Sequence, residues 1–181
     1  DPSQRTGNGL RIHPAVLMAG DFDDPVRAWQ GIPQTYECTQ FLDLEHERGH
    51  RVWIVPAFAH PVGTATMMPG YGPMHRSLMS RYAHLAVFTA MIHDLSAGEV
   101  RPAGELGLSV RYWPDAADRA ELSLGLWACA KLLIAAGARR VLLAARTPRW
   151  IDRADDLEWL KHLPIEKGTI ARTNPAQTWA G

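Results

Sequence analysis

"LSVRYWPDAADRAELSLGLWACAKLLIAAGARRVLLAA", residues Leu108 to Ala145, decides the fold class. It opens on a β-branched and aromatic run, Leu108 to Trp113, which reads as a strand. Asp115, just after Pro114, can cap a helix, and Asp118 falls at the third helical position. Leu122, Leu126, Cys129 and Leu133 then recur at helical spacing until Gly137 stops the pattern. The spacing predicts one long helix over 115–137. Arg139 to Ala145 follows as another apolar strand.

Working outward, "PAVLMA" (Pro14 to Ala19), bounded by Pro14 and Gly20, reads as a buried strand. The stretch after it, up to Pro33, is punctuated as a loop by Asp-Pro, Gly31 and Pro33. "QTYECTQFL" (Gln34 to Leu42) alternates two chemically mixed faces. "HRVWIVP" (His50 to Pro56) is its natural hairpin partner across the polar link "DLEHERG". "LAVFTAMIH" (Leu85 to His93) and "GEVRP" continue an antiparallel meander, and "DRADDLEWLKHL" (Asp152 to Leu163) reads as a short amphipathic helix. Acids stand near its start, and Lys161 and His162 near its end. Runs of strands interrupted by a few helices imply an α+β domain, with an antiparallel or mixed sheet of about five to six strands backed by helices.

Composition narrows the function classes. With 181 residues, 46% of them hydrophobic, the chain can bury a core in a single domain. Nineteen basic and nineteen acidic residues cancel without forming blocks, which argues against a nucleic-acid partner or a polybasic membrane anchor. The most apolar stretch, Leu122 to Ala136, carries Lys131 and falls short of the roughly 20 residues of a membrane span. Cys38 and Cys129 are far apart and suit two reduced thiols, although one long-range bridge is open to them. No basic region followed by an apolar run opens the chain, and we expect a cytoplasmic protein. The start at "DPSQRTGNG", without methionine, and the end at "NPAQTWAG" lead us to expect a segment cut from something longer.

Two motifs compete for the chemistry. "HERGH", His46 to His50, satisfies the H-E-x-x-H pattern, in which two histidines on one helical face hold zinc and the glutamate is the base. Gly49 and the strand-like "RVWIVP" break that helix, so a polar hairpin tip is the simpler reading. His60, His75 or Glu99 could be nominated as third ligand. A zinc-dependent hydrolase built on His46, Glu47 and His50 is the alternative this motif leaves. The other motif is "AHPVGTATM", Ala59 to Met67, a histidine loop bounded by proline and glycine.

"GNGLRIHP" (Gly7 to Pro14), "AGDFDDPVRAWQGIPQTYECTQF" (Ala19 to Phe41), "HLAVFTAMIHDLSAGEVRP" (His84 to Pro102) and "VRYWPDAADRAELSLGLWACAKLLIAAGARRV" (Val110 to Val141) together carry a resemblance. They resemble the substrate-binding region of the glucose-methanol-choline (GMC) oxidoreductases, especially the long-chain alcohol oxidase branch. The resemblance implies a substrate domain, over residues 1–181, inserted in a larger FAD-dependent chain. FAD would be bound by segments outside this one, since no G-x-G-x-x-G is present to hold a pyrophosphate. The implied activity is oxidation of an alcohol, with hydride transfer to the flavin and a histidine beyond Gly181 as base. This chain would supply the pocket and no catalytic residue. "AHPVGTATMMPG" imitates the family's His-Pro-Met-Gly-Thr loop but lies before the long helix instead of after it.

His60 is therefore expected to line a substrate cavity. His13 matches the family's His-Pro and is expected near the flavin, as the cofactor-binding residue. Tyr36, Trp53, Phe58, Met67 and Met68 are large and apolar, and suit a hydrophobic alcohol. Glu37 could orient its hydroxyl. The expected partners are that alcohol and the flavin-binding domain of the parent chain. A stand-alone apolar-ligand-binding domain is the third reading.

Overall fold

The computed structural model describes residues 6–32, 34–43, 45, 49–105, 107–145 and 147–167. The strands are β1 (Asn8–Leu10), β2 (Ala15–Asp21), β3 (Val52–Pro56), β4 (Leu85–Ile92), β5 (Gly98–Ala103), β6 (Gly107–Arg111), β7 (Arg140–Leu143) and β8 (Arg149–Asp152). The helices are α1 (Pro61–Met67), α2 (Gly72–Met79) and α3 (Ala116–Ala135), with 3₁₀ turns at Tyr82–His84 and Glu158–His162.

Five strands form the main sheet in the order β3-β4-β2-β7-β8, and β1-β5-β6 form a smaller one. Every pairing is antiparallel. The α+β class is as expected, but the strands divide between two sheets.

In the main sheet, register fixes which side chains share a face. Leu17 pairs with Thr89, Ala19 with Val87 and Leu142, and Trp53 with Met91. These stand on one face, while Val16, Met18, Val52, Ile54, Ala90, Val141 and Ile151 stand on the other. That second face is buried against Leu122, Leu126, Cys129 and Leu133 of α3. α3 is begun and ended by the residues the sequence marked. The Asp115 side chain accepts from the Asp118 N–H. At the other end Gly137 (φ 104°) donates to the Ile134 carbonyl and Ala138 to that of Leu133, a Schellman closure.

Two buried carboxylates tie the edges to this core. Asp21 accepts from Arg81, Arg139 and Arg140. Asp118 accepts from Arg51 Nη1 at 2.7 Å, from the Ser96 N–H at 2.8 Å and from Ser96 Oγ. Burial pushes both carboxyls upward, but these hydrogen bonds outweigh it and hold each below the usual carboxylate range. No helix among the described residues is long and apolar enough to cross a membrane.

Three local expectations need correction. Residues 34–42 form no strand: they run beside β3 through single bridges, Cys38 to Ile54 and Leu42 to Arg51. The mixed polarity of that segment leaves no face to bury, so only Cys38 and Phe41 pack toward the core. The segment Asp152 to Leu163 is not an α-helix. Asp152 ends β8, where it pairs with Arg140, and only Glu158–His162 coils, as a 3₁₀ turn. Pairing along β7 takes Asp152, the residue that would have begun the helix. Third, the loop reading of "AHPVGTATMMPG" misses α1, which starts at Pro61, a residue preset for the first helical position. α2 likewise carries a proline, Pro73, in its first turn.

The zinc motif is described only in part. His46 and Glu47 lie outside the described residues, but Gly49 and His50 are not helical, and His50 Nδ1 donates to Glu121 Oε1 at 3.2 Å.

Candidate functional site

The face of the main sheet opposite α3 is only partly covered. Over it the chain leaves β3, crosses at Ala57–His60 and turns into α1, enclosing a half-open cavity of about 260 Å³. Leu17 and Ala19 of β2, Val87 of β4 and Leu142 of β7 form the floor. Phe58, His60, Thr64, Met67 and Met68 form the walls and roof. The polar side chains among the lining are His60 and Thr64 alone. Such a surface, mostly apolar with two polar groups, suits an apolar ligand carrying one polar end.

Hydrogen bonds at both ends hold the roof. At its start the Ala59 N–H donates to the Ala28 carbonyl at 3.0 Å, and the Tyr82 hydroxyl donates to the Ala59 carbonyl. The Tyr82 ring stacks on Trp29, with centroids 4.7 Å apart. Burial raises the Tyr82 phenol above its ordinary value, which keeps it protonated and a donor. At the far side His75 Nε2 donates to the Ala65 carbonyl at 2.8 Å, joining α2 to α1. No α1 residue is buried. The roof is thus fastened by hydrogen bonds to its backbone, with no fully buried side chain in α1.

Of the residues singled out in the sequence, the structure brings Phe58, His60, Met67 and Met68 together in this cavity. Trp53 and Glu37 meet elsewhere, at the β3 edge, where Trp53 Nε1 donates to Glu37 Oε2 at 2.9 Å. Tyr36 is 81% exposed. His13 is exposed beyond the opposite end of β2, with a left-handed φ of 47° before Pro14 and its ring 6.4 Å from that of His93.

Sequence reasoning missed the floor. Leu17, Ala19 and Val87 carried a period-two signal within strands that were recognised, but which face lay open depended on where α3 docks. Among the other nominees, Glu99 is paired with Arg101 and Arg111 in the small sheet. Among the described residues no group of three His, Cys, Asp or Glu side chains is placed to hold a metal ion.

The chain is 38% identical over 140 residues to an uncharacterised GMC-type oxidoreductase of Mycobacterium tuberculosis, a match covering 76% of this chain and 21% of the relative. The chain is a homologue of the GMC-type oxidoreductases. Within that group it is 28% identical over 137 residues to a long-chain-alcohol oxidase of Arabidopsis thaliana, covering 74% of this chain and 17% of the relative. It is 26% identical over 174 residues to an uncharacterised GMC-type oxidoreductase of Sinorhizobium fredii, covering 94% of this chain and 33% of the relative. No family model matches the chain. The chain spans about a fifth of the length of the mycobacterial relative.

GMC homology supports an oxidoreductase and implies a flavin. The described residues do not fit the pyrophosphate of that cofactor. Both sheets are antiparallel throughout, so no parallel βαβ unit presents a glycine-rich turn at a helix N-terminus.

Proposed function

We propose that this chain is the substrate-binding portion of an FAD-dependent alcohol oxidoreductase acting on a hydrophobic alcohol. The observation that supports the reading best is the apolar cavity on the α3-free face of the main sheet, with His60 and Thr64 as its polar groups. On this reading the flavin-binding domain of the parent chain supplies FAD, carries the catalytic base and faces the open side of the sheet. His13, at one end of β2, stands at that junction. Phe58, His60, Met67 and Met68 contact the alcohol. Trp53 shares the sheet face with the cavity floor through its pairing with Met91, and on this reading it, Glu37 and Tyr36 meet the alcohol from the β3 side. The chain's own contribution is to position the alcohol and exclude water from it. A cytoplasmic setting accords with Cys38 and Cys129 both standing as free thiols.

The test is anaerobic mixing of the flavin-loaded full-length protein with apolar primary alcohols. Bleaching of the flavin absorbance is expected, with Met67→Trp raising KM strongly at unchanged flavin content. Alcohols that leave the flavin oxidised would sink the reading.

A further inference from the structure

We infer that the cavity beneath α1 measures its alcohol by length, taking a straight-chain primary alcohol of about eight carbons, tail first, with the hydroxyl left at His60 and Thr64. The inference rests on the alcohol reading above and adds a limit that homology to long-chain-alcohol oxidases does not supply.

The first support is volume. If each carbon or oxygen takes about the 30 Å³ that one water takes in the liquid, a cavity of about 260 Å³ holds about nine such atoms. Eight carbons and one oxygen fill it.

The second is polarity along the cavity. His60 is exposed and Thr64 half-buried, so both belong to the mouth, and they stand one helical turn apart at the start of α1. The His60 side chain makes no hydrogen bond capping that helix. Opposite them lies the sheet, where Leu142 is 1% exposed. A hydroxyl placed at the floor would meet only alkyl groups and lose its hydrogen bonds. The tail therefore enters first, and the floor limits its length.

The third is the size of the residues that set the depth. Ala19 and Ala144 meet the cavity with single methyl groups, so each leaves space that a larger side chain would occupy. They are the specificity-determining positions. The floor, and not the roof, is the stop, because it is built from paired strands that resist displacement while α1 has no buried residue.

The test is the dissociation constant of a 1-alkanol series, from 1-butanol to 1-hexadecanol, measured by titration into the intact protein and its Ala19→Leu and Ala144→Leu variants. Affinity should rise about fourfold per methylene while methylenes enter the cavity, then stop rising near 1-octanol. In Ala19→Leu the break should move to about 1-pentanol, since leucine adds three carbons to the floor. Ala144→Leu should shift it in the same direction, and melting temperatures within a few degrees of the parent certify both folds. A fourfold gain that continues past 1-dodecanol, or a break that stays put in both variants, overturns the length limit while leaving the alcohol reading intact. If no alkanol of any length binds, the alcohol reading falls and the inference with it.

Discussion

Gly125 of α3 lies so close to Ala90 of β4 that a Cβ added to the glycine would stand 2.6 Å from the Ala90 Cβ and 3.4 Å from Val52 Cγ1. This is a point of very close approach between helix and sheet, and hydrogen is the largest substituent that fits. Gly125→Ala sets two effects against each other. Alanine gains about 1 kcal/mol of helix propensity, whereas forcing a methyl into a packed core costs about 1–3 kcal/mol. The contact is with a strand Cβ that cannot rotate away, so the second effect wins. With the overlap at 2.6 Å the cost falls at the upper end, and a net loss of about 2 kcal/mol is expected in urea unfolding. An unchanged or higher midpoint would refute the packing account.

Acid should unfold this protein partly through Asp118. Its folded pKa lies below the ordinary carboxyl value of 3.8, because the hydrogen bonds from Ser96, Arg51 and Leu95 outweigh the upward push of burial. A carboxyl whose folded pKa is depressed contributes stability that is complete above the unfolded value and lost as pH falls through the folded one. The loss should therefore begin below about pH 4. Asp118→Asn removes the charge opposite Arg51 and should cost about 3 kcal/mol at neutral pH. Unfolding midpoints measured against pH should fall less steeply in the variant below pH 4, with Asp21 and Glu158 contributing to the remaining slope. Parallel acid limbs would rule the assignment out.

The sequence announced what is local and repeated. Asp115 and Gly137 bracket α3 because capping chemistry is written in one or two residues. β2, β3 and β4 stand out because apolar runs between turn residues have few other solutions. Other features depend on tertiary competition. Asp152 has the pattern of a helix start, yet it pairs with Arg140 once β7 is in place. α1 is too short, and too rich in residues that punctuate loops, to show a periodic stripe, and none of its residues is buried. The candidate site was half legible for the same reason. Its walls, Phe58, His60, Met67 and Met68, are conspicuous residues near one motif. Its floor is made of Leu17, Ala19, Val87 and Leu142, ordinary strand residues that become lining only because α3 takes the other face.

Thr89, in the middle of β4, is fully buried, and its hydroxyl has no hydrogen-bond partner among the described residues. It sits on the cavity face of the sheet, paired with Leu17 and Val55. A buried hydroxyl without a partner costs about 1–3 kcal/mol, and valine has nearly the same shape without the oxygen. Thr89→Val should therefore stabilise the protein by about 1 kcal/mol. A destabilised variant, read from its thermal midpoint, would mean that the hydroxyl serves a partner in the native protein.

Tyr82 links the cavity roof to the body of the molecule through its hydroxyl on the Ala59 carbonyl and its ring on Trp29. Tyr82→Phe keeps the stack and removes the hydrogen bond. The expected cost to global stability is about 1 kcal/mol, the net value of such a bond. The local effect should be larger in kind, because α1 has no buried side chain to hold it once its start is freed. Amide exchange should accelerate over residues 59–68 while α3 and β2 stay protected. On the proposed reading, dissociation of the alcohol should quicken with it. Uniform acceleration across the whole chain would show that the bond supports the fold in general and not the roof. Unchanged exchange over 59–68 would show that the stack with Trp29 alone holds the roof in place.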